Sequence, residues 1–381
     1  MLKVVVAGWY PPDAEHIAGG PHYNAYMQAQ TLKEREDVEV AVVSRNREVN
    51  EPTIADSNGV PVHFIPEPRQ RLMPRQLTMP GRVAPFIAAL NPDVVVAHNS
   101  TEALAAVRAA VPTAYVVHGI PKHEARFASG IERLSRWLQV RMETRALRAV
   151  KDVVCISDYC MQACRADTHS RLHKISYPIV EDAFFQVPAY DSGRAVLFAG
   201  AINPMKNVGT LVRAWPSVVR RFPDAVLRVC GRATDAEYES ELHHFIAENG
   251  LTHAVEFLGV ISRTEIASRL RDSVCLSLPS RQEDTPNVVA QSLSAARAAV
   301  ASTVGGIPEM VDDGHTGFLL DPDDVQGFAD RICELMDNPA MARNMGLAGR
   351  EHAVKTFERH AHIKELLAIC EKVISAARSD Q

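Results

Sequence analysis

Residues 279–309 read PSRQEDTPNVVAQSLSAARAAVASTVGGIPE. An apolar run, Val274–Leu278, leads into this stretch and predicts a buried strand. Glu283 and Asp284 follow in a turn-rich segment, and Thr285-Pro286 opens an Ala-rich helical pattern. Proline suits the first helical turn, where its missing N–H would be unpaired anyway, and Asp284 or Thr285 can cap. A second apolar run, AAVAST, leads to the turn Gly305-Gly306-Ile307-Pro308-Glu309. Strand, turn, helix, strand, turn is the repeating unit of a parallel α/β sheet. The helix start leaves amides of Asn287 and Val288 for an anion. Glu283 sits beside them as an acceptor for hydroxyls, so the pattern suggests a phosphorylated, hydroxyl-rich ligand. The plain alternative is a capped helix whose acid complements the dipole, worth under about 1 kcal/mol.

The same alternation runs outward in both directions. Lys3–Ala7, Val38–Val43, Asp93–Ala97, Thr113–Val117 and Asp152–Ile156 predict strands, with a helix from His22 to about Glu34. The pattern breaks at residues 184–193, FFQVPAYDSG, which predicts an interdomain linker. It restarts with strands at Ala195–Ala199, Ala225–Cys230 and Val255–Leu258, separated by helices at Val208–Arg221 and Ala236–Asn249. The region from Asp323 to Ala377 reads as helical. The expected fold is α/β, two doubly wound Rossmann-like domains in tandem with the site in the cleft between them. The expected boundaries are 1–185, 186–358, and a C-terminal helix over 359–381 that crosses back to the first domain.

Bulk properties exclude several classes. The chain has 381 residues, enough for two cores. A net charge of −5 gives no general attraction to nucleic acid. No apolar run reaches the roughly 18 residues of a membrane span, and the first apolar run reads as a strand rather than a leader. Seven scattered cysteines make no disulfide framework, which predicts a reducing, cytoplasmic setting.

Four further positions stand at places where such folds do chemistry. Gly19-Gly20 lies between the first strand and its helix, where glycine admits close phosphate approach; a plain turn is the alternative. His118 directly follows the strand TAYVV and could bond a substrate hydroxyl or carry a proton, though most of the 15 histidines must be structural. Lys206 lies in a strand-to-helix loop and could neutralise a diphosphate leaving group, or be a solvated loop lysine. Two basic regions, 67–82 and 130–150, interleave arginines with apolar residues. Either could touch an anionic membrane at its inner face, or be an ordinary solvated surface.

These motifs resemble retaining glycosyltransferases of family 4, with the two-domain GT-B fold. The likeness is most specific over 274–321, in PS…E…PNVVAQ…GGIPEMVDDGHTGFLL, and extends to Tyr10-Pro11-Pro12, Gly19-Gly20, His118 and Lys206. The resemblance implies transfer of a hexose-type sugar from a nucleoside diphosphate sugar to an acceptor hydroxyl of a glycan, glycolipid or small glycoside. It implies that His118 and Glu283 contact the transferred sugar and that Lys206, Gly19 and Gly20 meet donor phosphate. Thr285, Pro286, Asn287 and Val288 would hold sugar and pyrophosphate, and position 291 the ribose. No metal and no cofactor beyond the donor are implied. Three positions depart from the family pattern: Ala201 for an arginine, Gln291 for a second glutamate, and Tyr177-Pro178 for Asn-Gly. The alternatives are a nucleotide-sugar-binding scaffold of weakened catalysis and a GT-B sugar-nucleotide epimerase.

Overall fold

The computed structural model describes residues 1–11, 19–67, 75–127, 130, 132–175 and 179–379. They form two compact units, Met1–Ile179 with Arg359–Gln381, and Val180–Glu358.

The first unit runs β1 (Leu2–Ala7), α1 (Gly20–Lys33), β2 (Val38–Asn46), β3 (Thr53–Ser57), β4 (Val60–Pro66), α2 (Arg75–Ala89), β5 (Val94–Ala97), α3 (Ser100–Arg108), β6 (Thr113–Val117), α4 (Pro121–Glu124), α5 (Glu132–Ala149), β7 (Asp152–Cys155), α6 (Asp158–Arg165) and β8 (Arg171–Lys174). The second runs α7 (Asp182–Phe185), β9 (Ala195–Ala199), α8 (Gly209–Arg221), β10 (Val226–Cys230), α9 (Ala236–Glu248), β11 (Val255–Gly259), α10 (Arg263–Arg271), β12 (Ser273–Leu278), α11 (Asn287–Ser294), β13 (Ala298–Ser302), β14 (Gly317–Leu320), α12 (Val325–Asp337) and α13 (Pro339–Thr356). The chain then returns to the first unit as α14 (Arg359–Ser379).

The first sheet has the order β3-β4-β2-β1-β5-β6-β7-β8. Its central strands carry apolar runs, such as Val4–Ala7 and Val94–Ala97, because both faces are covered there. Val4 and Val6 pack with Val94, Val96 and Val116 on one face, under α1 and α14. Val5 and Ala7 pack with Val95, Ala97 and Val117 on the other, under α2, α3 and α5. Each fully buried valine or leucine contributes about 1.5–3 kcal/mol.

The sheet is not parallel throughout. β3 pairs antiparallel with β4 across Asn58-Gly59, whose φ angles are 52° and 81°. Asn-Gly is the strongest two-residue hairpin signal, and the hairpin is absent from the sequence reading. Also absent is β8, Arg171-Leu-His-Lys174, which has one apolar residue among three polar ones. As an edge strand it needs no two-sided apolar cover.

The second sheet has the order β11-β10-β9-β12-β13-β14, parallel throughout. The linker expected at 184–193, and with it the boundary at 185, is corrected. Val180 N–H donates to the Phe357 carbonyl at 3.1 Å, and Phe184, Val187 and Tyr190 join the second core. Local Pro, Gly and Asp made the stretch look like a loop, but its apolar side chains are consumed by tertiary packing. The chain passes between units at 179–180 and 358–359.

This anchoring is measurable. Phe184 is fully buried. Phe184→Ala is expected to destabilise the second unit by about 3–5 kcal/mol. In hydrogen exchange, amides of β9 and β12 should lose protection while those of β1 and β6 keep it. Equal loss in both sheets would contradict the assignment.

Candidate functional site

In both sheets the strand order reverses at one point, and doubly wound sheets bind ligands in the crevice beyond the carboxyl ends of the strands there. In the second unit the reversal lies between β9 and β12. The loop after β9 carries Lys206, and the loop after β12 carries Glu283.

Several bonds fix these loops. Lys206 N–H donates to Asn203 Oδ1 at 2.9 Å. Asn207 Nδ2 donates to the carbonyls of Pro279 at 3.1 Å and Pro322 at 2.8 Å. Arg281 N–H donates to the Met205 carbonyl at 2.8 Å, and its guanidinium reaches Asp323 at 2.6 Å. The result is an ion pair between two of the predicted residues. Lys206 Nζ lies 2.6 Å from Glu283 Oε1, and the Ser280 hydroxyl donates to the same oxygen at 2.7 Å. The Glu283 side chain is 8% exposed. Gly305 completes the packing: its φ is +58°, and a Cβ there would lie 1.8 Å from the Glu283 carbonyl oxygen. Only glycine permits that approach.

Beyond Glu283, α11 starts at Asn287 with Pro286 as its N-cap and no side-chain cap. Pro286 therefore precedes the first turn rather than occupying it, and neither Asp284 nor Thr285 caps. The Thr285 hydroxyl is buried and makes no hydrogen bond among the described residues. Thr285 directly precedes the N-cap, and Val288 lies in the first turn. Gln291 lies further along α11 and is 5% exposed.

The first unit reverses strand order between β1 and β5. Gly19 has φ +93° at the start of α1, and Gly20 is that helix's first residue. They lead into Pro21 and His22, which line a hollow of about 230 Å3 with Trp9, His118, Glu124 and Glu143. Trp9 stacks on His22 at 5.5 Å. His118 follows β6 as predicted from sequence, and its Nε2 lies 2.7 Å from His98 Nδ1. Burial, then the nearby His22 and His362 imidazoles, push His118 down to about 3. It is neutral near pH 7, which suits hydrogen bonding rather than charge. The predicted residues thus form two groups, Gly19, Gly20 and His118 in the first unit, Lys206 and Glu283–Gln291 in the second. Tyr177-Pro178 and, within 67–82, residues 68–74 lie outside the described residues.

Sequence reading missed His98, although it ends β5 as His118 ends β6, and the same rule finds both. It also missed Glu143, which accepts from the Tyr115 hydroxyl at 2.5 Å. Nothing in the sequence around Glu143 marks it, because its surroundings come from other elements.

Metal-ligating groups are few among the described residues. Asp321-Pro322-Asp323 has Asp-x-Asp spacing. Asp323 Oδ1 is held by Arg281 and by Asn207 at 3.2 Å, and Asp321 Oδ1 accepts from the Asp323 amide at 2.9 Å. Cys155, Cys160 and Cys164 bring their sulfurs within 4.8 Å of one another. Hydrogen bonding to Cys155 and burial push Cys164 up to about 12, so it stays a protonated core thiol.

Burial pushes the Glu143 carboxyl from 4.5 up to about 7. A carboxyl whose pKa rises on folding binds its proton more tightly in the folded state. Its stabilisation is present below pH 4.5 and is lost as pH rises through about 7. Between pH 5 and 8 this group should therefore remove on the order of 1–3 kcal/mol of stability. Glu143→Gln should flatten that difference in denaturant midpoints. Identical pH profiles for the two proteins would refute the shift.

Residues 19–176 match the glycosyl transferase 4-like domain, and residues 180–352 match glycosyl transferases group 1. An alpha-maltose-1-phosphate synthase of Mycolicibacterium smegmatis is 30% identical over 284 residues, 67% of this chain and 70% of that one. The chain spans only 54% and 39% of two other curated relatives, at 27% and 31% identity. Among solved structures, sucrose-phosphate synthase from Thermosynechococcus elongatus matches with a TM-score of 0.80 at 20% identity, covering 99% of this chain and all of that one (100%). Anabaena HepE in complex with UDP and glucose matches with a TM-score of 0.74 at 18% identity, covering 97% and 100%. At these identities the structural likeness is one of fold. One family model on each unit, and a 30% identical relative over most of both chains, place this protein in family 4 of the glycosyltransferases, with the GT-B fold.

Proposed function

We propose that the chain transfers a hexose-type sugar from a nucleoside diphosphate sugar to an acceptor hydroxyl, with retention. The observation that carries this reading is the Lys206–Glu283 pair, 2.6 Å apart, in the loops that lead into α8 and α11; the second of these loops also carries the buried Thr285 hydroxyl. A diphosphate entering there competes for the ammonium. Lys206 then turns from carboxylate to phosphate, and Glu283 is released to accept hydrogen bonds from sugar hydroxyls. Amides around Thr285–Val288 add neutral donors to the leaving group. The sugar C1–O bond to phosphate breaks, the bond from C1 to the acceptor oxygen forms on the same face, and the acceptor proton passes to the leaving phosphate oxygen. Lys206 offsets one charge of the diphosphate and the helix amides take up part of the rest; no metal or further cofactor is part of this proposal. Gly19 and Gly20 would approach donor phosphate, and His118 would bond a hydroxyl of the transferred sugar. Gln291 would accept from the ribose. HepE, of the same fold, is described with UDP and glucose, which supports a nucleotide-sugar donor.

A panel of nucleotide sugars with sugar and glycolipid acceptors tests the reading. Transfer or donor hydrolysis is expected with at least one donor. Lys206→Ala and Glu283→Ala should each lower kcat/KM on the order of 10²- to 10³-fold. Gln291→Glu should tighten donor binding, because a charged acceptor bonds about twice as strongly; unchanged affinity would remove the ribose role. Nucleotide binding by calorimetry without turnover on any acceptor would favour the scaffold reading, which Ala201 and Gln291 motivate.

The acceptor side has its own support. On α5, Leu134 and Trp137 are 65% and 51% exposed. Arg133, Arg141, Arg145 and Arg148 are exposed on the same helix, and Arg141 lies 4.7 Å over the Trp137 ring. No helix among the described residues is long and apolar enough to cross a membrane. This surface would dock peripherally on an anionic membrane, at the cytoplasmic face, and bring a glycolipid acceptor within reach. Sedimentation with vesicles checks this: anionic vesicles should bind the protein, neutral ones should not, and Leu134→Ser with Trp137→Ser should abolish binding. Equal binding to both vesicle types would exclude it.

A further inference from the structure

From His118, in the wall of the hollow of the first unit, a chain of polar side chains runs through His98 and Gln28 to His362; the last three have no role in the chemistry above. His118 Nε2 meets His98 Nδ1 at 2.7 Å, and the two rings stack at 4.9 Å. His98 Nε2 meets Gln28 Oε1 at 2.9 Å. Gln28 Nε2 meets His362 Nε2, on α14, at 3.0 Å. Gln28, His98 and His362 are all buried.

The roles in this chain are linked. A carboxamide oxygen only accepts, so Gln28 Oε1 requires the proton of His98 on Nε2. Neutral His98 then carries its lone pair on Nδ1, which accepts from His118 Nε2–H. Neutral His118 in turn has its lone pair on Nδ1. At the other end the Gln28 amide donates to His362 Nε2, which places that ring's proton on Nδ1. Burial holds His98 well below the ordinary histidine range, with His118 and His362 adding to the effect. With His98 and His118 neutral, the tautomer is the remaining variable. Turning the Gln28 amide over would reverse every bond at once and move the His118 proton to Nδ1.

We propose that Gln28 and His98 are positioning residues, anchored on His362, that hold His118 as the Nε2–H tautomer with Nδ1 accepting from a substrate hydroxyl. The ring then favours a ligand group that can donate. A substrate whose hydroxyl there is replaced by fluorine, which cannot donate, should bind or react poorly. The catalytic part of the proposal rests on His118 meeting the transferred sugar; the tautomer does not.

The test has two arms. Long-range proton–nitrogen NMR of the histidine rings in the unmodified protein at pH 7 should show His118 protonated at Nε2 and bare at Nδ1. A protonated Nδ1 overturns the proposal whatever the variants do. In kinetics, Gln28→Leu and His98→Leu should lower kcat by about 10- to 100-fold with little change in KM. His98→Asn, which can keep an acceptor near the Nδ1 position, should recover much of the loss. Leu variants that fold and turn over normally would make the chain merely structural and overturn the positioning role. If wild type transfers no sugar from any donor, the glycosyltransferase reading fails separately, and the NMR result alone decides the tautomer.

Discussion

A carboxylate that is 8% exposed must be compensated, or its burial costs several kcal/mol. Glu283 is compensated by Lys206 and Ser280, and that requirement organises the carboxyl edge of the second sheet. Lys206 stands 77 residues upstream. The two meet because β9 and β12, distant in sequence, are neighbours where the strand order reverses. Parallel strands put both following loops on one edge. Asn207 and Arg281 then lock one loop to the other, and the bare Cα of Gly305 lets the loop after β13 close against the Glu283 backbone. Without the pair, each of these contacts would be holding a loop around an unpaired buried charge.

The same pair explains how a site can be both stable and receptive. A buried ion pair adds little net stability, because desolvation offsets most of the attraction. It is therefore inexpensive to exchange for other partners. On the proposed reading, a diphosphate replaces the carboxylate as the lysine's partner, and sugar hydroxyls replace the ammonium as the carboxylate's partners. Both charges stay satisfied through the exchange. An arginine at position 201 would have added a second fixed cation; this chain has Ala201, so more of the neutralisation falls on Lys206 and on helix amides.

The central strands were legible because a run such as Val94–Ala97 has no polar face and must be covered on both sides. Glu283 and Lys206 were legible because an acid before a helix start and a lysine in a strand-to-helix loop stand where parallel sheets bind ligands. Their bond to each other was not, since no local pattern records which strands are neighbours. Residues 184–193 failed for the opposite reason: their composition is loop-like, and only the packing of Phe184 and Tyr190 reveals them as core. The β3–β4 hairpin carried its signal in Asn58-Gly59 and could have been read. Gln28 and His362 could not, being 334 residues apart and joined only through the packing of α1 on α14.

The two reversal points differ in kind. In the second unit the groups are charged, a lysine against a glutamate, as suits a leaving group whose negative charge grows during reaction. In the first the two histidines are neutral, with His118 at about 3 and His98 also pushed low, so near pH 7 neither ring carries a charge that would be costly to bury. A neutral imidazole discriminates by direction instead, accepting at one nitrogen and donating at the other. That direction has to be set from outside the ring, and the fully buried carboxamide of Gln28, fixed between His98 and His362, supplies it. On the proposed reading, charge is thus used where charge develops, and tautomer where a hydroxyl has to be recognised.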